Sequence, residues 1–294
     1  MKTIKDVFLN FHQQLDGLYG QQEAEAITLL VLSQVTDLSH AKIKAFPEDD
    51  VPPEAIEKLP LILNELKTGK PVQYVLGSAE FYGLTFLVNP AVLIPRPETE
   101  ELVEWVLSSQ RLKVESEKPL SVLDIGTGSG CIAISLKKNL KHARVSAIDI
   151  SSEALNTAKK NAVINEAEVN FIEADILQIQ PGLAPDDLDI IISNPPYVTM
   201  DDKAKMHINV NDFEPHTALF VPEHDPLIFY KAIADYAVNK LVDGGLLYFE
   251  INESYGQQTV DMLNDKKFIN IELRRDMSGR DRMIKAEYIR GNKS

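Results

Sequence analysis

A single cysteine, Cys131, among 294 residues excludes an intrachain disulfide and any cage of cysteine thiolates around a metal. Long apolar runs are missing too. No stretch is long enough to span a bilayer, and Met1–Asn10 lacks the h-region of a signal peptide. Positive charge is scarce: 30 Lys and Arg stand against 44 Asp and Glu, for a formal charge of −14. Proteins that grip duplex DNA carry a basic face, because phosphate neutralisation supplies much of the affinity. The balance therefore counts against a nucleic-acid partner and suits a basic protein. Internal repeats and low-complexity tracts are also lacking. These absences predict a cytoplasmic globular protein with no membrane partner, no metal site and no direct nucleic-acid ligand.

What is present reads as a large domain preceded by a small one, as the length suggests. Val7, Phe8, Phe11, Leu15 and Leu18 recur at helical spacing, as do Ile27, Leu30 and Val31. Asp37 and Ser39 offer N-cap chemistry, and Pro52-Pro53 opens a further helix through Leu59, Ile62, Leu63 and Leu66. We expect a helical bundle over residues 1–73. From Tyr74 to Val92 short β-like pieces are broken by Gly77, Gly83 and Asn89-Pro90, which predicts a linker with a hairpin over 74–97. Thr99 starts an amphipathic helix through Leu102, Val103, Trp105 and Val106. After Ser121, strands at 121–125, 144–148, 169–172, 188–193 and 245–251 alternate with helices. That alternation predicts an α/β, Rossmann-like domain with a mostly parallel sheet over 98–294.

Two segments carry chemistry. In the first, the strand Val122–Ile125 runs into Gly126-Thr127-Gly128-Ser129-Gly130 and then a helix. Glycine tolerates positive φ, so the backbone can turn sharply and admit a ligand closely. The helix N-terminus behind it offers free N–H groups to an anion, either the carboxylate of S-adenosylmethionine or a pyrophosphate. No Lys follows the glycines, which excludes a P-loop, and the G-x-G-x-G spacing tilts away from a dinucleotide. Asp149, ending the next strand, is placed to accept from ribose hydroxyls. Asp175 is either an acceptor for an adenine amine, with Ile176 covering the ring, or a turn residue. Cys131, packed behind the last glycine, reads as structural.

The second segment is Asn194-Pro195-Pro196-Tyr197, just beyond the strand Leu188–Ser193. Two prolines stiffen it and remove two backbone donors, so it presents carbonyls on a rigid frame. Methylating a planar NH₂ is a problem of alignment. Resonance ties up an amide lone pair, with a rotation barrier of roughly 18–20 kcal/mol in a peptide. The Asn194 side-chain oxygen and the Pro195 carbonyl can each take one N–H, with Tyr197 stacked on the planar group. Positioning two bound reactants is worth roughly 7–11 kcal/mol, against about 0.5–1.5 kcal/mol net for one hydrogen bond. Orientation, with neither strong base nor metal, is the expected mode of action.

With these motifs the sequence resembles the HemK/PrmC family of peptide-chain release-factor glutamine methyltransferases. The resemblance also rests on Pro71–Gly77 with Glu80-Phe81, on Val92-Leu93-Ile94-Pro95-Arg96-Pro97-Glu98-Thr99-Glu100, on Glu214-Pro215 with Ala218-Leu219, and on Asp276 with Gly279-Arg280 and Arg282. It implies a class I methyltransferase with a seven-stranded sheet and S-adenosylmethionine as cofactor. It also implies methylation of the side-chain amide of the glutamine in the Gly-Gly-Gln loop of class-1 release factors. By the same resemblance Gly126–Gly130, Asp149 and Asn194 contact the cofactor, Asn194–Tyr197 hold the target glutamine, and the helical domain docks the protein substrate. Arg96, Glu98 and Glu100 are expected either to brace the cofactor-side loop or to form a solvated helix start. An amino-methylating DNA or RNA enzyme shares the tetrapeptide; a non-catalytic cofactor sensor and a nicotinamide oxidoreductase share only the glycine loop.

Overall fold

The computed structural model describes residues 2–111, 118–179, 182–183, 185–203 and 208–290. The chain forms two compact units, one of residues 1–78 with 207–213, the other of 79–206 with 214–294.

The first unit is helical. Helix α1 (Ile4–Tyr19) opens with a capping box in which the Thr3 hydroxyl accepts from the Asp6 amide and the Asp6 side chain from Thr3. Its inner face is Ile4, Val7, Phe11, Leu15 and Tyr19; Leu18 is exposed. Helix α2 (Gln21–Thr36) ends at Asp37, whose left-handed backbone (φ 55°) closes this helix and leaves Ser39 to cap α3 (His40–Ala45). Helix α4 (Pro53–Leu66) has proline in its first turn, where no backbone N–H is lost. The Tyr19 hydroxyl donates to the Leu66 carbonyl at 2.7 Å, tying α1 to the end of α4. The sequence pattern predicts β-like pieces from Tyr74, yet Val72–Leu76 is a short helix, α5, entered from Pro71 and stopped by Gly77 at φ 76°.

The hairpin β1 (Ser78–Phe81) and β2 (Leu84–Leu87) opens the second unit from its second residue, Ala79, onward. Its turn residues Tyr82 and Gly83 both have positive φ, the requirement of a tight type I′ connection. Phe81 and Phe86 are buried in the core of this unit, so the hairpin belongs to the large unit and is no free linker. Helix α6 (Pro97–Arg111) follows, starting two residues before Thr99. Then come β3 (Ser121–Ile125), α7 (Cys131–Asn139), β4 (Arg144–Asp149), α8 (Ser152–Ile164), β5 (Asn170–Glu173) and β6 (Leu188–Ser193). Three short helices, α9 (Met200–Lys203), α10 (Ile208–Phe213) and α11 (His216–Leu219), lead to α12 (Ile228–Lys240); α10 clusters with the first unit. Strand β7 (Leu241–Glu250), helix α13 (Gly256–Asp265), β8 (Phe268–Arg275) and β9 (Asp281–Tyr288) close the chain.

The sheet has seven strands in the order β5-β4-β3-β6-β7-β9-β8. The first five are parallel, and β9 pairs antiparallel with both β7 and β8. This is the class I methyltransferase arrangement, with apolar clusters on both faces of the sheet. Trp105 of α6 is buried there, the Arg274 guanidinium 4.1 Å above its ring and Tyr248 edge-on at 5.7 Å. The order reverses between β3 and β6, and open α/β sheets bind ligands beyond the carboxyl ends of strands at such a switch point.

Candidate active site

Register brings the two chemical segments together. Ile125 of β3 pairs with Ser193 of β6 on one side and Ile148 of β4 on the other, so Gly126, Asp149 and Asn194 emerge at one sheet edge. The Ser193 hydroxyl donates to the Ile125 carbonyl at 2.6 Å and locks that register. Beyond the edge lies a cavity of about 370 Å³, within the usual range for a small-molecule site.

The glycine loop forms one wall. The Gly126 and Thr127 amides donate to the Ile148 carbonyl, and Thr127 donates its hydroxyl to Asp124 at 2.6 Å. Gly126 (φ 74°) and Gly128 (φ 54°) have open space where a Cβ would stand. Gly130 (φ 82°) differs: a Cβ there would meet Ile134 at 3.0 Å and Ala158 at 3.1 Å, so this glycine lets α7 and α8 pack closely. Asp149 accepts from the Gly128 amide at 2.8 Å and the Ser151 amide at 2.9 Å. Burial raises its pKa, and the amides of Ser151 and Gly128 pull against that shift. Each carboxylate oxygen keeps a second lone pair for a ligand hydroxyl. Asp175 caps its own turn, accepting from the Leu177 amide at 2.9 Å, while lining the cavity with Ile176. Cys131 also lines it, but burial pushes its thiol up to about 12, which leaves it inert.

Asn194, Pro195 and Pro196 line the cavity as well. Behind them lies a polar network. Asn194 Nδ2 donates to Thr99 Oγ1 at 3.2 Å, and Thr99 donates to Glu250 Oε2 at 2.6 Å. The Tyr197 hydroxyl donates to Glu250 Oε1 at 3.1 Å, and Asn252 Nδ2 donates to the Tyr197 carbonyl at 3.0 Å. Burial raises the Glu250 pKa, while the Thr99 hydroxyl, the positive charge of Arg282 and the Tyr197 hydroxyl favour its anion. Arg96 forms a 2.6 Å ion pair with buried Glu214, whose other oxygen accepts from the Ile94 amide, bracing the 91–96 segment on the cavity rim. Glu100 accepts from the Tyr82 amide at the hairpin turn.

Of the residues singled out from sequence, Gly126, Thr127, Gly128, Ser129, Asp149, Asp175, Ile176, Asn194, Pro195 and Pro196 line this one cavity. Gly130 and Tyr197 do not. Tyr197 packs against the apolar cluster on one sheet face and reaches Glu250 from behind. Sequence reasoning missed the roles of Ile150, an exposed residue of the cavity lining, and of Phe229, Thr99 and Glu250. Only the last carried a signal, an acid interrupting an apolar strand at its carboxyl end.

Comparison with known proteins agrees with the geometry. The PrmC N-terminal domain family matches residues 10–77, and the Methyltransferase small domain family matches 107–211. A Flavobacterium psychrophilum protein named release factor glutamine methyltransferase is 46% identical over 97% of this chain and 99% of its own. The chain belongs to the release factor glutamine methyltransferase family. It is an S-adenosylmethionine-dependent methyltransferase. A Bacteroides thetaiotaomicron member of the family is 42% identical over 93% of this chain and 96% of its own. The fold alone is shared with a Pyrococcus furiosus methyltransferase, with a TM-score of 0.52 and 16% identity over 71% of this chain and 91% of the other. Within the family frame, the small-domain match takes in the glycine loop, Asp149, Asp175 and Asn194–Tyr197, whereas Thr99 and Glu250 fall outside it.

Proposed function

We propose that this chain methylates the side-chain amide nitrogen of the glutamine in the Gly-Gly-Gln loop of class-1 release factors. The observation that carries the reading is the orientation of Asn194: its Nδ2 is tied to Thr99, so its oxygen is the atom left for a substrate N–H on a residue that lines the cavity. Family membership supplies the substrate class.

The cavity suits S-adenosylmethionine. Gly126 and Gly128 leave room for close approach, Asp149 keeps lone pairs for ribose hydroxyls, and Ile150, Ile176 and Leu177 offer an apolar wall for a planar base. Bound there, the cofactor supplies an electrophilic methyl on a sulfonium. Asn194 Oδ1 and the Pro195 carbonyl accept the two amide hydrogens and turn the nitrogen towards that carbon. Pro195 and Pro196 hold the acceptors without competing donors. Tyr197 braces the loop through Glu250. Transfer would break the methyl–sulfur bond as the nitrogen–carbon bond forms, releasing the neutral thioether, and the proton of the now acidic nitrogen would pass to water without a strong base. The helical unit is assigned to docking the release factor.

The test is mass spectrometry of a release factor after incubation with the enzyme and labelled S-adenosylmethionine. A gain of one methyl on the Gly-Gly-Gln glutamine is expected. Label on an oligonucleotide amine but not on the protein would replace this reading with a nucleic-acid one.

A further inference from the structure

Thr99, near the start of α6, and Glu250, the last residue of β7, are 3% and 1% exposed and lie behind the tetrapeptide. Hydrogen-bond polarity runs through them in one direction. A carboxylate only accepts, and a threonine hydroxyl has one proton to give. The Thr99 proton goes to Glu250 Oε2 at 2.6 Å, so towards Asn194 the same oxygen can only accept. The Asn194 atom facing it at 3.2 Å must therefore be Nδ2, which leaves Oδ1 as the amide atom Thr99 does not hold, on a residue that lines the cavity. An asparagine amide has nearly the same shape when turned over, and only its partners decide between the two orientations. Turned over, Asn194 would point a donor at a substrate NH₂ that also donates.

We infer that Thr99 and Glu250 are positioning residues that set the polarity of the Asn194 amide, relayed from carboxylate through hydroxyl to side-chain NH₂. The inference rests on the function proposed above. The same carboxylate receives the Tyr197 hydroxyl on its other oxygen, so both ends of the tetrapeptide share one anchor. Burial raises the Glu250 pKa, and the Thr99 hydroxyl and the positive charge of Arg282, itself paired with Asp276 at 3.1 Å, pull against that rise. A merely structural Thr–Glu pair would hold the loop in place but have no influence on which substrate polarity the site prefers.

The experiment uses the full-length enzyme and release-factor loops carrying either glutamine or glutamate at the target position. Thr99→Val keeps the side-chain shape and removes the acceptor. Its kcat on the glutamine loop should fall on the order of 10²-fold, a far larger change than in its dissociation constant for S-adenosylmethionine. Its binding preference for glutamine over glutamate should relax, and Thr99→Ser should recover both properties. Wild-type kcat in Thr99→Val, a loss with the preference intact, or a Thr99→Ser enzyme no better than the valine variant would each overturn the relay. If Thr99→Val does not fold by thermal melting, Thr99→Ala is read by the same criteria. Wild-type enzyme that neither binds nor methylates the glutamine loop sinks the proposed function and the relay with it. Wild-type activity matched by Thr99→Val sinks the relay alone.

Discussion

At Asn194 a single amide stands between two demands: it must accept a hydrogen from the substrate, and its own NH₂ must be satisfied. Asn194→Ala deletes the acceptor and costs the fold only one hydrogen bond to Thr99, about 1 kcal/mol. Methyl transfer should drop by roughly 10²–10³-fold while the melting temperature barely moves; turnover retained by that variant would remove Asn194 from its assigned role. Asp149 has a different task, since its two oxygens also hold the Gly128 and Ser151 amides. Asp149→Ala should weaken S-adenosylmethionine binding, measured by calorimetry, more than it lowers kcat at saturating cofactor. An unchanged dissociation constant would reject the assignment.

Among the elements, the glycine loop divides into parts with separate physics. Gly128→Ala points a methyl into open space, so beyond the strain of a side chain at φ 54° it should chiefly lower cofactor affinity. Gly130→Ala drives a methyl against Ile134 and Ala158 at φ 82°. It should destabilise the protein by about 1–3 kcal/mol, read as a fall in the denaturant midpoint, whether or not cofactor is present. From sequence the three glycines look alike, because what separates them is α8 passing behind Gly130, a contact 28 residues away in the chain. Strands β3 and β6 are legible for the opposite reason. Buried on both faces, they read as mostly apolar runs, interrupted by Asp124 and Asp189 and bounded by chemistry at one end. The sequence reading passed over β8, for its pattern Phe-Ile-Asn-Ile-Glu-Leu-Arg-Arg belongs to an edge strand with a polar outer side. Thr99 was legible only as a helix start. Its partner Glu250 is 151 residues further on, and no local pattern encodes that pairing.

Across the whole molecule four buried carboxylates share a sign, whereas Asp276, which accepts from the Arg280 amide and pairs with Arg282, is lowered. Asp124 is wholly buried and its pKa is pushed up to about 7; Asp149, Glu214 and Glu250 are raised as well, burial being the largest cause in each. In the unfolded chain such groups titrate near about 3.9–4.3. Between that range and their folded values the folded protein holds more protons, so its stability declines as pH rises. The melting temperature should therefore be higher near about pH 5 than near about pH 8. Asp124→Asn should flatten this slope by a contribution on the order of a few kcal/mol. A wild-type melting temperature that climbs over the same interval would contradict the assignment.

The chain has one tryptophan, and Trp105 sits in the core of the catalytic unit between the Arg274 cation and the edge of Tyr248. Its indole emission is thus a built-in lamp for that unit alone. Melting of the helical unit, which contains no indole, goes unseen in tryptophan emission but registers in far-ultraviolet circular dichroism. Recording both signals in one titration tells whether the two halves of this enzyme come apart together or in turn, with no label attached.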